Sequence, residues 1–308
     1  MRRLLTVAVL AGAAAALCGC GSGSGRAPEQ VIGQKGLKSG QFIEPRGLTV
    51  SNDGGIICVD TTGRVQRFSP EGEFVTVWRV PSTEKGRPEG LAIDLDGNIL
   101  VADTHYSRVL EYPPRGGDIV VEFGSHGEEP GQMVYPLAVA VSSRGEIYVA
   151  EYGGASERVQ RFSAEGKYIS GWGRYGTGMG EFRRPSGIAI DSSDRVYVAD
   201  AGNHRVQRFT AEGEYLDEFG TQGRGEGNLS YPYDVAVSGD RAAVCEYGNC
   251  RVSVFTLDGE FVSSWGGPGS EPGLFATPWC IAVGPRGRLY VADTKNNRVQ
   301  VFDAGWKN

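Results

Sequence analysis

Histidine is nearly absent from this sequence: His105, His126 and His204 are the only three among 308 residues. A zinc site needs three or four convergent ligands, and three imidazoles so far apart in the chain do not make one by themselves. Cysteine is also sparse, at Cys18, Cys20, Cys58, Cys245, Cys250 and Cys280, without the paired spacing of a zinc site. No stretch carries the 3.6-residue apolar period of a long helix. Basic clusters are missing apart from Arg174, Arg183 and Arg184, and 31 Lys+Arg against 37 Asp+Glu leave a net charge of −6. A nucleic-acid binder should present a basic face, so nucleic acid is not an expected partner. The longest apolar run, residues 4–17, is too short to span a bilayer.

Glycine, by contrast, is abundant at 47 residues, which points to many turns. The turns punctuate a repeat. Arg-Val, two variable residues and an aromatic recur six times, at Arg64 to Phe68, Arg108 to Tyr112, Arg158 to Phe162, Arg205 to Phe209, Arg251 to Phe255 and Arg298 to Phe302. The arginines are 44, 50, 47, 46 and 47 residues apart. An acid ending a β-branched run precedes each one: Asp60, Asp103, Glu151, Asp200, Glu246 and Asp293. Further upstream a proline opens another short apolar run, at Pro45, Pro88, Pro136, Pro185, Pro232 and Pro278.

Each unit reads as four strands. In the fourth unit these are residues 187–190, 195–200, 205–209 and 214–219, separated by Gly, Asn and Asp turns. Four short strands per unit of this length predict an all-β fold, a six-bladed β-propeller. The first strands, continuously apolar, should be buried on both faces. The last unit is short of a strand after Phe302, and Glu29-Gln30-Val31-Ile32-Gly33 matches the missing piece. The N-terminal strand should therefore complete the last blade and leave no open edge. The expected blades are residues 43–78, 86–123, 133–172, 182–219, 229–265 and 275–303 plus 29–33, with 304–308 as a tail.

The repeated Val-Ala-Asp, polar loop, Arg-Val-Gln-x-Phe and Gly-Glu-Phe/Tyr resembles the NHL repeat, most closely at 198–209 and 291–302 and in all over residues 29–303. The first unit departs through its shortened loop, Thr61-Thr62-Gly63, and the third through the extra Gly153-Gly154-Ala155-Ser156.

The N-terminus reads separately. Arg2 and Arg3 precede the apolar run, which ends Leu17-Cys18-Gly19-Cys20 and resembles a bacterial lipobox with Cys20 as the acylated residue. Residues 1–19 are then a lipoprotein signal peptide and 20–28 a flexible tether of small residues. Acylation of Cys20 with two or three chains would anchor the protein firmly. The expected address is the cell envelope, in the outer membrane where the cell has one, and otherwise on the outer face of the plasma membrane. Losing Arg2 and Arg3 would leave the mature chain at −8. An exported protein can form disulfides; Cys245 and Cys250 flank one hairpin loop, diagonally placed, and their pairing stays open.

The six acid–arginine pairs, Asp60–Arg64, Asp103–Arg108, Glu151–Arg158, Asp200–Arg205, Glu246–Arg251 and Asp293–Arg298, occur in every unit and are expected to fix turns. Function should lie where the repeat varies. The resemblance implies that the residue after each proline faces one channel mouth: Arg46, Glu89, Leu137, Ser186, Tyr233 and Trp279. Residues just past the acids, among them Tyr152 and Tyr247, should crowd the same face. Arg46, Glu89, Tyr152, Tyr233, Tyr247 and Trp279 are therefore the candidate ligand-binding residues, since Trp, Tyr and Arg dominate binding hot spots. Trp279 and Tyr233 could equally plug the channel, with Arg46 paired to Glu89.

The resemblance implies a non-enzymatic binding or sensing scaffold whose ligand is an envelope or extracellular protein, peptide or glycan. Related propellers also include enzymes: the histidine- and metal-dependent amidating lyase, calcium-dependent lactonases and antibiotic-cleaving lyases. No cofactor is expected; a channel calcium or zinc would have to draw on Glu44, Glu89, Asp234 or the histidines.

Overall fold

A computed structural model of the chain describes residues 26–153 and 156–306. The leader and Cys20 lie outside them, as do Gly154 and Ala155 of the lengthened loop. Six four-stranded antiparallel sheets stand around a channel. Each innermost strand touches the next, and that of the sixth sheet touches that of the first, so the ring closes. In the sixth sheet the outer strand is Gln30–Ile32, pairing with Arg298–Asp303 through Gln30 opposite Val301 and Ile32 opposite Val299. The fold is a six-bladed β-propeller completed by its N-terminal strand. No helix among the described residues is long and apolar enough to cross a membrane.

The fourth blade shows why the sequence folds this way. Its strands are Pro185–Ile190, Val196–Asp200, Arg205–Phe209 and Tyr215–Phe219, numbered outward from the channel. Continuous burial was expected on the first strand; it falls on the second, where Val196 to Asp200 are all buried. The second strand has partners on both edges and blades on both faces, whereas one edge of the first borders the open channel.

The aromatic that ends each repeated phrase is the hub of the packing between blades. Phe68, Tyr112, Phe162, Phe209, Phe255 and Phe302 are at most 1% exposed, each burial contributing about 2–3 kcal/mol. In three blades a phenylalanine from the preceding inter-blade link packs on it: Phe42 on Phe68, Phe182 on Phe209 and Phe275 on Phe302, with ring centroids 5.5–5.9 Å apart. The glycine opening the link makes room for this. Gly173 sits at φ 100°, and a Cβ there would come within 2.5 Å of the Phe182 ring.

The six acid–arginine pairs all form, with closest N–O distances from 2.5 to 2.9 Å and every carboxylate fully buried. Asp200 is representative. One oxygen accepts from Arg205, Asn203 and Gln207, and the other from the main-chain N–H of Arg183 at 2.7 Å. Arg205 meanwhile donates to the carbonyls of Gly178 and Glu181 in the link. The pair therefore ties a hairpin to the segment leading into its own blade. Corresponding amides of Ile43, Val134, Ser230 and Ala276 bind the acids of four other blades. Blade two is the exception: the link before it is differently built, and Asp103 Oδ1 has no partner.

Replacing Arg205 by leucine strands a buried carboxylate, so urea denaturation should show a loss of about 3 kcal/mol or more. A loss below about 0.5 kcal/mol would contradict this role.

Candidate functional site

The channel mouth is shaped by a bulge repeated around the ring. In five blades the register between the first two strands slips at the residue after the proline, as between Pro185 and Gly187. A bulged residue leaves the ladder and its side chain is re-aimed. The bulged residues are Arg46, Leu137, Ser186, Tyr233 and Trp279, and with Glu89 they line one end of a channel of about 510 Å³.

Four of them interlock. The Arg46 guanidinium lies 3.5 Å above the Trp279 ring, and the Trp279 indole N–H donates to Glu89 at 3.1 Å. Arg46 stands 4.0 Å from Glu89 and 3.9 Å from Glu44, which is also bound by Lys295 at 2.6 Å. Tyr233 meets Trp279 edge to face at 4.6 Å and stacks on Tyr247 at 4.5 Å. Burial raises the Glu89 carboxyl above its usual range, and Arg46 opposes the shift. The mouth is thus closed on this side by a packed cation–aromatic group.

Tyr152 belongs to a second group. It packs against Tyr135 at 5.3 Å, and Tyr135 against His105 at 5.6 Å. Arg184 joins the two groups, its guanidinium 5.2 Å from the Tyr152 ring and 5.1 Å from that of Tyr233. The candidate residues therefore share one face, which also holds Arg184, noted in the sequence only within a basic cluster, Glu44, noted only as a possible metal ligand, and Tyr135. All three precede a proline by one position, where Glu44, Arg184, Tyr231 and Thr277 take φ near 50°. The variation of this position from unit to unit was the signal that would have found them.

The possible oxygen ligands do not converge. Glu44 is held by Lys295, and Glu89 by Trp279. Asp234 lies in the channel wall, accepting the main-chain N–H groups of Ile281 and Val235 at 2.9 Å. His105 and His204 each accept a main-chain N–H at Nδ1, from Arg87 and Tyr231, and His126 faces Ser107. Among the described residues no three His, Cys, Asp or Glu side chains are grouped to hold a metal ion. Cys58, Cys245, Cys250 and Cys280 are free thiols. Within the basic trio of 174, 183 and 184, Arg174 is paired with Glu181 at 2.7 Å.

The family profile of the NHL repeat matches residues 182–209 and 275–302, so the chain carries NHL repeats. Peptidyl-glycine alpha-amidating monooxygenase of Mus musculus is 34% identical over 128 residues, 38% of this chain and 13% of that protein. NHL repeat-containing protein 3 of Mus musculus is 31% identical over 158 residues, 47% of this chain and 45% of that protein. The chain spans less than half the length of these curated relatives. A gluconolactonase of Xanthomonas campestris superposes with a TM-score of 0.63, covering 85% of this chain and 87% of that one at 16% identity. Likeness at that identity is likeness of fold.

Burial pushes the Asp234 carboxyl up to about 6, against the pull of its N–H donors. With the folded value raised, its protonation contributes stability that is complete below the ordinary 3.8 and lost as pH rises through about 6. A carboxyl NMR titration should give a midpoint near 6, and Asp234→Asn should flatten the fall in stability over that window. A midpoint below about 4.5 would contradict it.

Proposed function

We propose that this NHL-repeat propeller is a lipid-anchored binding or sensing scaffold that captures an envelope protein, peptide or glycan at its channel mouth. The observation that carries the reading is the composition of that mouth. The scaffold residues repeat from blade to blade, whereas the rim residues differ in each and bring Arg46, Arg184, Tyr135, Tyr152, Tyr233, Tyr247 and Trp279 onto one face. Aromatic and arginine side chains of this kind dominate binding hot spots. Tyr135 is 37% exposed and Tyr231 46% exposed, so flat ring surface remains open to a ligand.

The chain direction supports display. The N-terminal strand starts at the far end of blade six, where Glu29 pairs with Arg288 beside the turn between its first two strands. It runs from there toward the mouth, since Ile32 lies opposite Val299. A tether from acylated Cys20 would emerge from the face opposite the mouth. The candidate residues would then point away from the membrane of the cell envelope.

The enzyme alternative is an amidating-lyase-like, lactonase-like or antibiotic-lyase-like activity in the channel, and a relative named as an amidating monooxygenase bears on the first of these. Two of the histidines are committed to loop amides, and the channel carboxylates are separately engaged. Those engagements favour the scaffold.

Immobilised residues 21–308 should capture an envelope partner, and Tyr152→Ala or Trp279→Ala should weaken that capture about tenfold or more in a binding titration. Tyr152→Ala is the cleaner variant, because Trp279 also packs the plug. Undiminished capture by both folded variants would place the ligand elsewhere.

A further inference from the structure

Arg46 and the repeated arginines have acidic partners, whereas Arg87 and Arg184, each one position before a proline, have no ion pair among the described residues. Arg46 has Glu44 and Glu89, and each repeated arginine has the acid of its hairpin. Arg184 has none within ion-pair distance among the described residues, and its charge acts on the Glu89 and Glu157 carboxylates only from further off. Its main-chain N–H goes to Glu157 at 2.6 Å, but its Nε is buried without a hydrogen-bond partner. The guanidinium is instead framed by the Tyr152 and Tyr233 rings. The two ring contacts restrain a planar fork while its donors stay unspent, a preorganised state for accepting an anion.

The geometry points to an anion subsite, and we propose that Arg184 there binds the carboxylate of an acidic sugar within a glycan. This rests on the reading of the mouth as the binding face and names the ligand class for it. A single guanidinium fork matches the two coplanar oxygens of a carboxylate. A phosphate dianion would call for further donors, and the main-chain N–H of Arg184 itself is already taken by Glu157. A peptide would seek main-chain partners along the rim. There the innermost strands open with Pro45, Pro185, Pro232 and Pro278, carry Pro136 as second residue in blade three, or follow Pro88, and proline has no N–H to offer. What the rim does offer is ring faces and phenols, which suit the C–H faces and hydroxyls of a pyranose.

The test uses the mature domain, residues 21–308, with digalacturonate, its neutral galactose counterpart, an acetylated dipeptide acid and inorganic phosphate as probes. The indole N–H resonance of Trp279, assigned with a Trp279→Phe variant, reports occupancy of the mouth. Digalacturonate should shift it saturably and the neutral sugar should not. Arg184→Gln should weaken the acid about tenfold or more, Arg184→Lys should restore only part of it, and Arg183→Gln should bind like the parent. Preserved amide dispersion in each variant excludes unfolding. Equal binding of acidic and neutral sugars, or an Arg184→Gln variant that binds normally, overturns the subsite. So does Arg184-dependent binding of the peptide acid or phosphate in place of the sugar acid, or no shift with any probe. The broader reading stands or falls separately, on capture by the Tyr152→Ala variant.

Discussion

A buried carboxylate at or next to the end of each second strand is the constraint on which this propeller depends. Left unpaired in the interior it would be costly, and its partners are arranged so that meeting the cost builds the architecture. Arg205 holds Asp200 from across the hairpin, and the Arg183 amide holds it from the entering segment. Arg205 also reaches the link carbonyls. One charged group thus fixes a turn, a link and the start of the innermost strand. The amide it captures lies two residues before Pro185, so the same contact sets the chain for the bulge that follows.

The bulge converts a repeated scaffold into a variable rim. Because the fastening is carried by residues common to the units, the residues flanking the proline are released from holding the fold and can differ. Arg46, Tyr233 and Trp279 use that freedom to close one side of the mouth, while Arg184 and Tyr152 continue the same surface around it. Blade two shows the converse. Its link is differently built, Asp103 retains Arg108 but lacks the amide, and its innermost strand is reduced to Leu91–Ile93.

Most of this was legible in the sequence because it repeats. Six copies of one phrase imply six blades, and the last copy, lacking an outer strand, calls for Val31 and Ile32 to supply it. The placing of the residues after the prolines at a channel mouth came from the resemblance to related propellers. Three features were not legible. The burial of the second strand rather than the first depends on which edge meets the channel, and apolar content alone does not reveal that. The reach of Arg184 from blade four to rings of blades three and five is a property of a long side chain in a ring. The engagement of Asp234 with Ile281 of the next blade depends on blade proximity, which periodicity does not encode.

On the proposed reading, positions holding the fold and positions holding the ligand are different sets, the second lying at the channel mouth. A saturation mutational scan of the displayed domain, read once for folding and once for ligand capture, tests it most directly. Substitutions sparing the fold but abolishing capture should cluster at positions flanking the six prolines and just past the repeated acids. Clustering on the outer strands, or on the face where Glu29 meets Arg288, would contradict it.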